Sequence, residues 1–556
     1  MGNDSMQLEL RCISSLAKVF ADEELHEKPY CQASALANET AAFQVAYRSN
    51  RLIKGIRATA ETKLEAAISL RPVGLVPSEM PVYPDHDEHV LRTTPGLYPD
   101  PLFPLSEAEG LTALPGQWRS LWVTVEPGAG VSPGAYDIRI RFASEQDEEY
   151  GEVGFELSVL PLALPEQRLI HTEWFHTDCL ATYYKTDVFS ERHWAIIESF
   201  IGTAVKHGVN MILTPIFTPP LDTQIGGERP TVQLIDVERT GDGTYRFGFD
   251  KLARWVELCS RQGVRYFEFS HLFTQWGAMH APKIMATVDG AYTRIFGWET
   301  DAGGDAYRSF IGQLLPALTA WIKDNGLAER SYFHVSDEPS MQHLESYETA
   351  SRMVSELLQD FPVIDALSDY DFYARGLVKN PIPANDHIEP FLEHGVEGLW
   401  TYYCCGQYKQ VANRFFSMPS ARNRILGIQL YKFNMAGFLQ WGYNFWYSQQ
   451  SRHEIDPYRV TDAIHAFPSG DAFLVYPGTD DKPVESIRLE VLREALQDLR
   501  ALQLLEELYG REYVLAGLEE GLDEPISFSR YPREAEWLLA KREWVNAKLV
   551  EKQPQA

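Results

Sequence analysis

Tyr332-Phe333-His334-Val335-Ser336-Asp337-Glu338-Pro339 reads as a buried strand that runs into two adjacent carboxylates and is stopped by a proline. Burying one acid is costly, and placing two side by side costs more unless something uses them. Inside a strand, neighbouring side chains point to opposite faces, so the two acids could not both reach one ligand. At a strand end the alternation lapses and both can turn toward one cleft, the arrangement a carboxylate pair needs to act on one glycosidic bond. The competing reading makes Asp337 the cap of a following helix and Glu338 part of its first turn.

Strand-then-helix repeats extend on both sides of this motif. Candidate strands are Leu169–Phe175, Met211–Thr214, Tyr266–Ser270, Tyr332–Ser336, Val363–Ser368, Pro381–Pro383, Gly398–Tyr403 and Gly437–Trp441. Helical patterns fall at His193–Lys206, Phe249–Gln262, Ala306–Lys323 and Met341–Gln359. Eight such strands suit a (β/α)8 barrel over residues 168–480. A doubly wound sheet is the alternative, but no glycine-rich phosphate loop follows the first strand. Residues 1–160 alternate apolar and polar side chains between Gly/Pro turns, as in Tyr136–Phe142, and read as a β-sandwich. In residues 484–556, Ile487, Val491, Leu492, Ala495, Leu496, Leu499 and Leu502 share one helical face. Arg488, Glu490, Arg493, Glu494 and Gln497 occupy the other face of this helix. The fold class expected is therefore multidomain α/β: a β-sandwich, a barrel, and a helical segment packed on the barrel.

A formal charge of -28 argues against a nucleic-acid groove and against docking on anionic membranes. No segment has the apolar length to span a bilayer. Met1–Tyr30 holds Asp22, Glu23, Glu24 and Glu27 without a long apolar run, so no secretory signal is expected. The six cysteines show neither a disulfide framework nor zinc-ligand spacing. A cytoplasmic protein is the expectation, with Cys404 and Cys405 as reduced thiols rather than a vicinal disulfide. No cofactor and no metal is expected. His171, His176 and His271 could meet in space, but no helix carries a two-histidine motif.

Barrel active sites sit at the C-terminal strand ends. Those positions hold His176, His271, Trp276, Asp337, Glu338, Tyr370, Trp400, Tyr402, Trp441 and Asn444. A mouth with acids, aromatics and an amide suits a sugar ring, which has apolar faces and hydroxyl edges.

Four stretches resemble the family 123 glycoside hydrolases, exo-acting β-N-acetylgalactosaminidases, and a related group of unassigned domains. They are Ser336–Pro339, Leu399–Cys404, Gly437–Trp446, and Asp471–Pro477 with Ser486–Glu490 and Leu492–Glu494. Asn38-Glu39 and Phe43-Gln44 are family-like too, whereas Arg493–Leu499 departs from the family's pattern. The resemblance implies a retaining, substrate-assisted mechanism in which the sugar's 2-acetamido oxygen attacks C1. It assigns Asp337 to orient the acetamido group and Glu338 to act as acid and then base. Tyr402 or Tyr370 would hold the acetamido oxygen, and Trp441 or Trp400 would stack under the ring. The implied partner is a glycan or glycoconjugate ending in a 2-acetamido sugar, and a homodimer is compatible with this reading. The alternatives are a conventional glycosidase pairing Glu338 with a remote acid such as Glu173, Glu268 or Asp371, and a carbohydrate-binding barrel without turnover.

Overall fold

The structure, a computed structural model, describes residues 8–241 and 243–552. Residues 1–7 and 553–556, the outer ends of the first and last expected segments, lie outside the described residues. The fold is mixed α/β with a sheet-rich N-terminal region.

Ten strands make up that region: β1 (Leu8–Ser14), β2 (Gln32–Leu36), β3 (Ala41–Ser49), β4 (Ile53–Thr62), β5 (Ala66–Ser78), β6 (Gly96–Leu102), β7 (Leu111–Ala113), β8 (Arg119–Pro127), β9 (Gly134–Ala143) and β10 (Glu149–Leu160). Their inward residues alternate along each strand. In β9, for example, Ile138, Ile140 and Phe142 are buried. Two sheets, β2-β10-β9-β4-β7 and one running β1-β3-β8-β5-β6, share an apolar core in which the Phe43 and Phe155 rings stack at 4.1 Å.

The eight parallel strands expected from sequence all form, six of them shorter than expected, one over its expected range and one shifted by a residue. They are β11 (Ile170–Glu173), β12 (Met211–Thr214), β15 (Tyr266–Phe269), β18 (Ser331–Phe333), β19 (Ile364–Ala366), β20 (Asn380–Ile382), β21 (Trp400–Tyr402) and β22 (Gly437–Gln440). The intervening numbers belong to β13 (Asp236–Arg239), β14 (Tyr245–Gly248), β16 (Ile284–Val288) and β17 (Ala291–Phe296), a separate sheet on the loops. Six strands pair in the order β18-β15-β12-β11-β22-β21, and β19 pairs with β20. Single parallel bridges, Phe333 to Val363 and Ala384 to Tyr402, link the second set to both edges of the first.

Helices α1 (Thr177–Tyr184), α2 (Glu191–Lys206), α3 (Asp250–Gln262), α4 (Asp305–Asp324), α5 (Leu344–Ser355), α6 (Tyr370–Ala374), α7 (Glu389–Glu393), α8 (Ser420–Arg424) and α9 (Leu426–Lys432) lie between strands. Helix α3 ends on Gly263 at φ 102°, the left-handed position that a residue without Cβ adopts at least cost. Three helices close the chain: α10 (Ile487–Tyr509), α11 (Arg511–Glu519) and α12 (Ala535–Glu551). No helix among the described residues is long and apolar enough to cross a membrane.

The chain returns to the N-terminal sheet before α10. A hairpin of β23 (Tyr476–Pro477) and β24 (Pro483–Ser486) adds to β6 and lengthens that sheet to seven strands. Ser486 then caps α10 by accepting from Leu489 N.

The polar face of this helix is not left to solvent. Arg488, Glu490, Arg493, Glu494 and Gln497 are all buried, because α10 is covered on both sides. Each finds a partner. Arg488 grips Asp100 of β6 through two bonds of 2.8 and 2.9 Å. Glu490 accepts from Arg71 of β5 at 2.8 Å and also meets Arg493. Arg424 of α8 reaches Glu494 at 3.2 Å and Asp498 at 2.7 Å. Gln497 exchanges two bonds with the Thr40 backbone. On its other side α9 lies so close that a Cβ on Gly427 would sit 2.0 Å from the Ala495 carbonyl oxygen. The family-like residues of the N-terminal region serve the same seam. Asn38 bonds both backbone groups of Leu164, and Glu39 accepts from Arg542 of α12.

Removing one partner of a buried ion pair leaves the other charge uncompensated. Asp100→Ala should therefore lower unfolding stability by about 3–5 kcal/mol, read as a drop in urea midpoint.

Candidate active site

The C-terminal ends of the parallel strands and their loops enclose a cavity of about 700 Å³. Asp337, Glu338, Tyr402, Trp276 and Trp441 line it, five of the ten site residues expected from sequence.

The local backbone explains how both acids face one space. Strand β18 stops at Phe333, and the first helical turn begins only at Met341, capped by Ser340. Asp337 and Glu338 thus occupy a connecting turn, and Asp337 caps no helix. The Asp337 carbonyl accepts from Trp276 N at 2.8 Å, and Glu338 N donates to the Ala366 carbonyl at 3.0 Å. Glu338 sits at φ 43°, a left-handed conformation that a non-glycine residue before proline adopts at a cost of about 1–3 kcal/mol. Trp276, at φ 58°, is 40% exposed at the mouth.

Tyr402 donates to Glu338 Oε1 at 2.7 Å. Trp441 is held by its indole N–H on Asp471 Oδ2 at 2.9 Å and packs edge-on to Phe467. Trp174 forms part of the wall, and its indole N–H reaches Glu268 at 3.3 Å. Cys404 and Cys405 are free thiols on the wall near Tyr402.

Burial raises both carboxyls of the pair above the ordinary range. Asp337 is displaced furthest, by burial first and by the charge of Glu338 second, with His334 pulling it back. Glu338 is raised by burial and partly restored by the Tyr402 hydroxyl. A third acid, Asp222, lines the cavity and is pushed up to about 6 by burial. Its Oδ2 accepts from Gln450 N at 2.9 Å. Asp471, behind Trp441, is pushed up to about 7 by burial against the pull of Arg414.

The other five expected residues do not line the cavity. Trp400 lies on the same strand face as Tyr402 but one layer lower, buried against Tyr332 and over Gly437. Tyr370 begins α6 and stacks on His394 at 4.4 Å. Asn444 spends its amide on the His176 backbone, accepting at 2.8 Å and donating at 3.1 Å. His176 is buried between the Trp441 carbonyl and Arg229. His271 is buried one layer below, stacked on His334 at 4.2 Å. The histidines once grouped with it are apart from it: His171 contacts Glu173 and the Gly208 carbonyl.

None of the remote acids weighed against Glu338 lines the cavity. Glu173 is buried on Arg414, Glu268 on His334, and Asp371 belongs to α6. Asp222, Gln449 and Phe467 do line it and carried no strand or helix pattern. Only the Pro219-Pro220 turn just before Asp222 marks its loop.

The family profile described as "Glycoside hydrolase 123, catalytic domain" matches residues 174–505, more than half of the chain. A solved family 123 glycoside hydrolase from Clostridium perfringens, described in connection with glycolipid glycan hydrolysis, is 17% identical over 98% of this chain and 97% of its own, with a TM-score of 0.75. A Parabacteroides merdae beta-glucuronidase (10% identity, 88% of this chain, 52% of its own, TM-score 0.30) and a family 5 mannosidase from Rhizomucor miehei (12%, 63%, 95%, 0.35) are far more distant. No curated protein matches the sequence.

Between about pH 4 and 6 the folded chain holds a proton on Asp222 that the unfolded chain has released, so rising pH removes stability there. Asp222→Asn keeps an acceptor for Gln450 N and tolerates the left-handed backbone at φ 37°. It should gain roughly 1–3 kcal/mol over the parent at pH 8 and nothing at pH 4, by urea unfolding at both pH values.

Proposed function

The chain belongs to the glycoside hydrolase 123 family, and from that premise we propose that it is a retaining exo-β-N-acetylgalactosaminidase working by substrate assistance. That it is an enzyme hydrolysing glycosides follows from the family; the sugar and the mechanism are the proposal. One observation carries it: two adjacent carboxyls line one cavity, and Glu173, Glu268 and Asp371 do not line it.

Ordinary retaining enzymes place two carboxyls on opposite sides of the anomeric carbon, about 5 Å apart. Neighbours in one turn suit a division of labour on one side. In the first step the 2-acetamido oxygen bonds to C1 as the C1–O glycosidic bond breaks. The Glu338 proton passes to the leaving oxygen, and Asp337 accepts from the acetamido N–H. In the second step water attacks C1, Glu338 takes its proton, and the oxazoline ring opens to restore the acetamido group. Net configuration is retained.

The chemistry needs the pair's single proton on Glu338. Tyr402 donates to Glu338 while, among the described residues, no side chain donates to Asp337, an arrangement that favours the Glu338 anion. The acetamido N–H supplies the donor that Asp337 lacks, so a 2-acetamido substrate moves the proton to Glu338. Tyr402 is then available to the acetamido oxygen, and Trp441 and Trp276 offer apolar faces to the ring. The same reading extends to architecture and partner. Eight parallel strands joined round by two single bridges support a (β/α)8 barrel, and a glycan or glycoconjugate ending in a 2-acetamido sugar is the partner. Asp222 favours one second reading, a conventional pairing of Glu338 with Asp222 across the cavity.

Turnover of 4-nitrophenyl β-N-acetylgalactosaminide and its gluco epimer tests this. Asp337→Asn and Glu338→Gln should each lose about 10²–10⁴ in kcat. A thiazoline mimic of the oxazoline should inhibit strongly. Equal turnover of a 2-hydroxy glycoside, with no thiazoline inhibition, would instead select the conventional pairing.

Within the same variants, the acid role has its own signature. Glu338→Gln should fall far more on alkyl aglycones, which need protonation to leave, than on nitrophenol.

A further inference from the structure

Beneath the carboxyl pair lies a buried charge array that the mechanism above does not use. Glu268 comes from β15, His334 directly follows β18, and Asp365 lies in β19, so three consecutive strands meet in one layer. His334 Nε2 donates to Glu268 Oε2 at 2.8 Å. Its Nδ1 lies 3.4 Å from Asp365 Oδ1, an ionic contact too long and poorly aligned to be a full hydrogen bond. All three side chains are fully buried. Asp365 is held by Val335 N at 3.0 Å and by the Tyr347 hydroxyl at 2.5 Å, and Trp174 also donates to Glu268.

We infer that His334 is a fixed imidazolium, clamped between Glu268 and Asp365, and a positioning residue whose charge keeps the Asp337–Glu338 pair able to ionise. The inference rests on the reading of that pair given above.

Two facing carboxylates leave an imidazole ring little choice. A neutral ring can donate from one nitrogen only and would leave a buried carboxylate opposed by a lone pair. Burial disfavours the charge, yet Asp365 and Glu268 outweigh it and raise His334 to about 9. The ring stacked on its face, His271, is held well below its ordinary value by burial and by His334, so the stack carries one charge and not two. Backbone continuity then fixes the distance. Val335 N binds Asp365, the Ser336 hydroxyl donates to the Thr274 carbonyl at 2.7 Å, and Asp337 follows. Of the charges acting most strongly on Asp337, those of Glu338, Asp365 and Asp222 oppose its ionisation and that of His334 favours it. A carboxyl pair this enclosed would otherwise stay doubly protonated to higher pH and lack the anion that substrate assistance requires.

The sign follows. A cation favours every anionic form of the pair, so its loss raises both macroscopic pKa values. His334→Gln should move the acidic and basic limbs of the kcat/KM profile upward together by about one pH unit or more. A purely structural role would lower the amplitude and leave the limbs in place, which would overturn the inference. Histidine-selective ¹⁵N NMR of the full wild-type chain, with His334→Gln for assignment, reads the charge without relying on turnover. Two protonated ring nitrogens at pH 7.5 are expected; a neutral tautomer would overturn the imidazolium. Should His334→Gln fail to fold, Tyr347→Phe perturbs the array from behind and the imidazolium signal is assigned by its shift. Full turnover by Asp337→Asn would remove the reading of the pair itself, whereas a neutral His334 would remove only the cation.

Discussion

Helix α10 must bury a charged face, and the rest of the molecule is arranged around that requirement. A lone buried guanidinium or carboxylate is several kcal/mol out of place, so every charge on Ile487–Leu499 needs a partner brought from elsewhere in the chain. Asp100 and Arg71 arrive from the N-terminal sheet, Arg424 from α8, and Thr40 supplies backbone groups. These partners are separated from α10 by tens to hundreds of residues in sequence. The β23–β24 hairpin joins the same sheet immediately before the helix. The N-terminal sheets and the parallel strands therefore share a common wall.

The cavity inherits its order from that rigidity. Three of its features depend on backbone held by neighbouring strands: the left-handed turn at Glu338, the bond from Trp276 N to the Asp337 carbonyl, and the seat of Tyr402 on β21. Strained turns at functional positions persist only where the surroundings over-determine them. Here the Glu338 amide bonds β19 while the Asp337 carbonyl bonds the loop after β15, so the turn is held from both sides. Its electrostatics are layered. Acids facing the cavity are raised by burial, and one layer down an imidazole sits between two carboxylates.

The relation to the Clostridium perfringens enzyme shows how little of the sequence this fold requires. At 17% identity the two chains superpose over nearly their whole lengths. Packing tolerates exchange of apolar residues of similar volume, and buried ion pairs can be replaced as sets. In this chain Arg493–Leu499 packs against Glu490, Arg424, Thr40 and α9.

The eight parallel strands, the alternating strands of the N-terminal region and the long helices were legible in the sequence, because apolar periodicity is a local consequence of which face is buried. So was the carboxyl pair, since two acids at the end of an apolar run have few cheap uses. Tyr402 and Trp441 followed from their strand ends, but strand-end position alone could not separate Tyr402 from Trp400, which shares its face one layer lower. Asn444 and His176 were expected in the cavity for the same reason; instead the Asn444 amide bonds the His176 backbone, and the His176 ring bonds the Trp441 carbonyl. Asp222, Gln449 and Phe467 lie on irregular loops, where no period exists to read. The burial of the polar stripe on α10 was not legible, because an amphipathic pattern reports which residues differ, not whether water or a second layer covers the polar side. Local chemistry thus determined the elements and the carboxyl pair; which layer covers which face, and which loops complete the cavity, was decided by contacts between residues far apart in sequence, which only the folded chain brings together.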